Sequence, residues 1–300
     1  MTTLLEIASL INDTNQAVSG LERSIVSNPA HREALTINLV SIQRRREALE
    51  REFAEIANRQ MVDVCEYNMI PSKRGYPLAA IAAALERFQE VVSVFFEALA
   101  EGPKTRATVK PHTVAATAFE LAYTKPGSMG FVLTIPSERL TGLRTQMDEA
   151  VDLAFAATRL SSTDEIQNLA KKVGVAGVSK AYSWLSAHSA HGLAASIAWR
   201  SSRDDREQVV LHAEEADRVR KLIARTSEPK TDPMTLGGVL VGLVLEARTF
   251  HFAVPNAETI KGRLSIDFDM AGPWRIPARY TATLERITIT HFATGKQDHK

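Results

Sequence analysis

The chain has 300 residues, 45% of them apolar and 24% charged, with a formal net charge of +1, which is ordinary globular composition and enough length for two or three domains. That balance does not indicate a strongly basic nucleic-acid binder or an acidic tail protein, although local patches are still allowed. A single cysteine, Cys65, leaves no internal disulfide and no cysteine zinc site, so nothing suggests a secreted, disulfide-built scaffold.

The opening Met-Thr-Thr-Leu-Leu-Glu lacks the basic region and apolar run of a signal peptide, and the longest later apolar runs, near 78–85 and 239–245, are far short of a membrane span. The reading is cytoplasmic, with no membrane partner. Arginine outnumbers lysine 24 to 12 and alanine is abundant, a composition expected of a bacterial source.

Residues 4–56 read as two long helices folded back on one another. In the first, Leu4, Ile7, Ile11, Thr14, Val18, Leu21 and Ile25 recur in alternating steps of three and four, the narrow seam of coiled-coil packing. Ser27-Asn28-Pro29 interrupts it, with Asn28 placed to cap a second helix and Pro29 at a first position where a missing N–H is harmless. The second helix resumes the seam at Leu35, Leu39, Ile42, Leu49, Phe53 and Ile56, with Arg46 where an apolar residue is expected. So short a turn makes the two antiparallel, each roughly 33 to 42 Å long. An isolated hairpin is marginal and requires a third surface: its own chain, a second copy or another protein. Arg44-Arg45-Arg46 resembles a nucleic-acid patch, but Glu47, Glu50, Glu52 and Glu55 follow at once, the interleaving of a solvated face.

Next, 61–70 carries Val62, Val64 and Glu66 on one side and Asp63, Cys65 and Tyr67 on the other, as a strand or the frayed end of the second helix. After a turn at Pro71–Gly75, Pro77 opens a third helix with Leu78, Ile81, Leu85, Phe88, Val92, Phe95 and Leu99 in the same rhythm, expected to complete a three-helix bundle with the hairpin. Gly102-Pro103 ends it. Residues 103–115 read as an exposed linker.

The period then changes. Phe119, Leu121 and Tyr123, a turn at Lys125-Pro126-Gly127-Ser128, and Phe131, Leu133 and Ile135 form a β-hairpin pattern. A helix is expected over 141–160; Ser162 with Glu165 caps another carrying Ile166, Leu169 and Val173, closed by Gly174, and a further helix runs over 178–188. Leu193, Ala195, Ile197 and Trp199 alternate as a strand, 209–211 adds a short one, and a helix follows through Val219 and Ile223. Residues 228–233 read as a second linker, and beyond it the chain is nearly all strand: 237–245, 249–254, 259–267 and 280–292.

The expected architecture is therefore multidomain α+β: a helical hairpin plus third helix over 1–102, a central two-layer α+β domain over 116–226, and a small β-barrel over 234–300. Because Ala293–Asp298 resembles a hairpin turn with only His299 and Lys300 beyond it, the barrel's last strand is expected to be missing, leaving an open edge or marking a truncated chain.

Candidate chemistry is sparse. His188 and His191 have helical metal-pair spacing, but Gly192 follows and no nearby acid or thiol completes a set, so a helix end is the plainer reading. Gly174–Lys180 lacks the glycine spacing and lysine position of a phosphate loop. Asp204 and Asp205, with His212 at a strand end, could serve a metal or acid–base chemistry, yet neighbouring aspartates flanked by arginines commonly form a solvated turn. Cys65 would be a nucleophile only with a histidine beside it. Phe250 and Phe252 flank His251 in a stacking-like trio but share one face suited to a core, and residues 232–300 hold eight Lys or Arg against seven Asp or Glu.

The reading favoured is a non-catalytic interaction or assembly protein, with no cofactor and no metal. Its hairpin would join a second copy or a protein partner through Leu4, Ile7, Ile11, Val18, Leu21, Leu35, Leu39 and Ile42, with Arg46 setting register. Two alternatives stand beside it: nucleic-acid binding through a barrel groove lined by Arg263, Arg275, Arg279 and Arg286, which the charge balance does not favour, and an enzyme using Asp204, Asp205 or His212.

Overall fold

A computed structural model describes residues 3–71, 75, 77–125, 129–137, 144–201, 206–255 and 257–299, with the backbone alone at 71, 228–230 and 299. The chain divides into two compact units, the first made of 1–226 with 292–295 and the second of 227–291 with 296–300. The architecture is mixed α+β, with a helical region at the N-terminus and a curled half-barrel sheet at the C-terminus.

In the first unit, α1 (Leu4–Ser27) and α2 (Arg32–Arg59) form the expected hairpin. Thr3 and Glu6 cap α1 reciprocally, each side chain accepting from the other's backbone N–H. Between the helices lies a 3₁₀ turn, Pro29–His31, and here the structure departs from expectation. Asn28 does not cap the second helix; its amide and backbone N–H both donate to the Ser24 carbonyl and close α1.

The remaining elements of the unit are β1 (Val62–Pro71), α3 (Leu78–Glu101), α4 (Pro111–Thr117), β2 (Glu120–Lys125), β3 (Met129–Pro136), α5 (Gln146–Ala157), α6 (Thr163–His191), β4 (Leu193–Arg200), β5 (Arg206–Leu211) and α7 (Ala213–Arg225). The strands form one antiparallel sheet in the order β2-β3-β1-β4-β5. The ambiguous stretch after the hairpin is thus its middle strand. It brings residues on both sides of the expected 103–115 boundary into one sheet.

Strand alternation sends neighbouring residues of β1 to opposite faces. Cys65, Tyr67 and Met69 join Leu133, Ile135, Ile197 and Trp199 in a core covered by α3, α5, α6 and α7. Val64, with Val132 and Tyr123, meets Ile7, Ile11, Leu49, Phe53 and Ile56 of the hairpin. Helices therefore lie on both faces, three layers where two were expected. The third surface for the hairpin is the sheet and not α3, whose Phe88, Val92 and Phe95 are buried on the other face. A bulge between Leu121 and Tyr123 decides which side Tyr123 takes. Leu121, expected on the same face as Tyr123, is instead exposed, while the Tyr123 ring meets Phe53 edge-on at 5.2 Å.

The expected linker at 103–115 is tied down. Glu97 is almost fully buried on α3, accepts from the Lys110 N–H and pairs with Lys104. Lys104 in turn exchanges backbone hydrogen bonds with Val173 and Ala176, on either side of Gly174. At that point, where one helix was expected to close before another began, α6 instead runs on through a kink, with Gly174 at φ 77° and ψ 171°. Ser162 accepts from Glu165 N at the start of α6 and Gly192, in the left-handed region, ends it.

In the second unit, β6 (Ser227–Val244), β7 (Thr249–Ala253), β8 (Ile260–Arg263), β9 (Ala278–His291) and β10 (Gln297–His299) form a sheet in the order β10-β9-β6-β7-β8. The stretch 228–233, expected as a linker, is the start of the long strand β6 and runs in register with β9. Its prolines, Pro229 and Pro233, lie where β6 has β9 on one side and no partner from β7, the edge setting in which a missing N–H is tolerated. The turn after residue 292 is followed by the short strand β10, and β10 and β8 are the two edges of an open sheet. Phe250 and Phe252 share a face as expected, with Phe252 buried.

A Cβ at Gly174 would run into the backbone of Lys104 as well as demand a left-handed φ. Gly174→Ala is expected to lower the unfolding free energy of the full chain by about 3 kcal/mol, read by urea denaturation. An unchanged midpoint would show that the 103–106 segment is free to move away.

Candidate functional site

The hairpin residues singled out in the sequence fall into two groups. Ile7, Ile11 and Val18 are buried, the first two where α1 and α2 rest on the sheet, and Leu4 is half-buried beside them. Asn15 secures that contact by donating to the Thr124 carbonyl at 2.6 Å. Leu21, Leu35, Leu39 and Ile42 lie beyond the sheet and are only half-buried, so the structure does not bring the eight into one surface. Across residues 19–48 no side chain is buried, while Val26 is 81%, Ile37 65% and Val40 41% exposed. Among the described residues, the hairpin's outer half therefore has its seam closed against itself alone, with aliphatic residues exposed.

At the hairpin's base, where α2 passes over the sheet, lies a cleft of about 580 Å³. Ala57, Val62, Val64 and the Tyr123 ring make its apolar floor. Glu47, Glu50, Arg51 and Glu55 line it from α2, and Glu66, Lys125, Arg200 and Arg206 from the strands. Lys125 pairs with Glu66 at 2.6 Å, and Arg46, at the seam position expected to be apolar, approaches Glu50 at 3.7 Å. Tyr123 is 4% exposed and its hydroxyl has no hydrogen-bond partner among the described residues. Burial raises its pKa above the usual tyrosine range, the charges of Glu50 and Glu66 add to the rise, and Arg200 and Arg46 oppose it. The sequence carried a signal for this site: Glu66 and Arg46 are charges at positions where the period calls for apolar residues.

A second polar cluster joins Arg144, Asp152 and Glu207. Arg144 donates to both carboxylates, at 2.9 Å to Glu207 and closer to Asp152. Burial and the neighbouring Glu207 push Asp152 up to about 7, against the pull of Arg144. Among the described residues no group of three or more His, Cys, Asp or Glu could hold a metal ion.

The other candidates are dispersed. His188 is fully buried: Tyr67 Oη donates to its Nε2 at 2.6 Å, its Nδ1 donates to the Leu193 carbonyl at 2.9 Å, and Trp184 Nε1 donates to Tyr67 Oη at 2.9 Å. Every polar group in that chain is satisfied, and the imidazole is neutral because burial lowers its pKa to about 4. His191 is exposed beside Gly192, so the two histidines are not a pair. Cys65 is buried, with its thiol pushed up by desolvation. Lys180 of the discounted phosphate-loop motif lies within α6 and pairs with Glu90 at 2.7 Å. His212 is exposed at the start of α7, where its N–H reaches Glu215; Asp204 and Asp205 lie outside the described residues. Arg263, Arg275, Arg279 and Arg286 are exposed, but Arg279 and Arg286, seven apart on an unbroken register, point from opposite faces of β9.

Compared with protein-family models, curated proteins and solved structures, the chain gives no significant match. No helix among the described residues is long and apolar enough to cross a membrane.

His188 ties folding to pH. The unfolded imidazole takes a proton near pH 6.5 and the folded one only near 4, so between those values the unfolded state binds more protons. The stability contributed by His188 is present above pH 6.5 and falls by about 3 kcal/mol as the pH drops to 4. Asp152, raised in the fold, works in the opposite sense below pH 7, so the effect is isolated by comparing wild type with His188→Gln. Their difference in unfolding free energy is expected to shrink by that amount on acidification. In Tyr67→Phe, which strands His188 Nε2 and Trp184 Nε1, denaturation at pH 7 is expected to show a loss of about 1 to 3 kcal/mol.

Proposed function

We propose that this protein is an assembly protein that associates with a second copy of itself through the outer half of the α1–α2 hairpin. The observation that supports this is a continuous 30-residue stretch, 19–48, in which the heptad seam persists with no buried side chain. A stripe of Leu21, Ile25, Leu35, Leu39 and Ile42, flanked by Val26, Ile37 and Val40, adds nothing to the stability of the folded chain beyond the contact between its own two helices. Placed against an identical hairpin it would close a four-helix bundle, the arrangement for which three–four spacing is suited. A two-fold pairing is favoured over a different protein because the surface is self-complementary in kind. Its charges, five arginines against three glutamates over 19–48, are interspersed and raise no large field of one sign.

Charging the buried Ile11 would unfold the base of the hairpin, so the informative positions are the exposed ones. Native mass spectrometry of the full chain at micromolar concentration is expected to give an even-numbered assembly, reduced to monomer in the double variant Ile37→Glu, Val40→Glu with its melting temperature otherwise unchanged. A wild-type chain that is monomeric throughout that range, or an assembly indifferent to the two charges, would overturn the proposal.

A further inference from the structure

The cleft beneath α2 has a feature that its use as a mere gap between elements does not explain. Its two walls carry opposite excess charge: three glutamates and one arginine on the α2 side, and Lys125 and Arg200 with one glutamate on the strand side, where Arg206 is engaged elsewhere. Where walls of opposite sign exist only to hold each other, the charges close into ion pairs. Here Glu47, Glu55, Arg51 and Arg200 have no ion-pair partner among the described residues, and the space between them stays open.

The floor reinforces this. Tyr123 is more than nine-tenths buried, locked by its edge contact with Phe53, and presents its hydroxyl to the cleft with no partner. The bulge between Leu121 and Tyr123 is what turns the ring to this face. Bulges commonly re-aim a side chain in this way beside a functional site. About 580 Å³ is in the range of small-molecule sites, and the half-buried Val62 adds an apolar surface between the two charged walls.

We propose that this cleft binds a small zwitterion of amino-acid or dipeptide kind. Its carboxylate is held by Arg200, its ammonium by the glutamates of α2, and its polar backbone by the Tyr123 hydroxyl, with an aliphatic side chain over Val62. This site is independent of the hairpin's outer half, so it stands or falls apart from self-association.

The test uses glycyl-leucine as probe, with N-acetylglycyl-leucine and glycyl-leucinamide as analogues lacking one charge each, titrated into the full chain by saturation-transfer NMR. Glycyl-leucine is expected to bind about tenfold more tightly than either analogue, the worth of one charge-assisted hydrogen bond. Arg200→Gln is expected to abolish the preference over the amide while keeping that over the acetylated form. Tyr123→Phe, which keeps the ring and hence the contact with Phe53, is expected to weaken glycyl-leucine about fivefold. Equal binding of the three probes, no saturation transfer from any of them, or a preference unchanged in Arg200→Gln would overturn the assignment. The analogue comparison on wild-type protein carries the test even where a variant folds poorly.

Discussion

The middle strand β1 has to be covered on both faces, and most of the first unit depends on that requirement. Cys65, Tyr67 and Met69 are fully buried on one side and Val64 on the other, and each aliphatic or aromatic side chain so buried contributes about 1.5 to 3 kcal/mol. A sheet with one wet face would need polar residues at alternate positions of its central strand. On the Val64 side β1 offers none until Glu66. The larger face receives α3, α5, α6 and α7, joined through the satisfied chain Trp184–Tyr67–His188–Leu193, which ties the end of α6 to both β1 and β4. Among the described residues the smaller face receives two helices, whose core contacts are with β1, β2 and β3.

That placement sets the position of both proposed sites. The hairpin crosses the β2-β3-β1 side of the sheet, and Arg200, at the end of β4, lines the cleft beside it. In the other direction the hairpin runs past the sheet, and from residue 19 outward its seam loses the floor against which Ile7, Ile11, Phe53 and Ile56 are buried. One helix pair laid across the sheet thus produces a cleft at one end and an unsupported seam at the other.

The local period was legible in the sequence, and the partners were not. Steps of three and four gave the hairpin, and alternation gave the Leu193–Trp199 strand with all four of its core residues. Ser162 and Gly192 gave the limits of α6, while Gly174, expected to end a helix, is a kink within it. Which surface each apolar stripe would meet is decided by topology. The seam of α3 has the same rhythm as that of the hairpin, so spacing alone favoured a three-helix bundle; the insertion of β1 between α2 and α3 in sequence puts a sheet between them in space. The two expected linkers failed for a related reason. Polar, proline-containing stretches resemble loops, but Lys104 and Lys110 serve a buried Glu97, and Pro229 and Pro233 occupy a strand where no second neighbour asks for their N–H.

The cleft residues were half visible. Arg46 interrupts an apolar seam and Glu66 an apolar strand face, and such interruptions are unfavourable unless the charge is paired or faces solvent. Arg46 lies close to Glu50, and Glu66 pairs with Lys125 at the cleft's rim. Tyr123 could not have been assigned to this site from alternation, because regular spacing puts it on the same face as Leu121. Only a one-residue bulge turns its hydroxyl toward the charges. A fold that spends a bulge to bring a buried phenol to a charged opening, when the regular register would have left the phenol elsewhere, keeps a local irregularity that burial of apolar surface alone does not require.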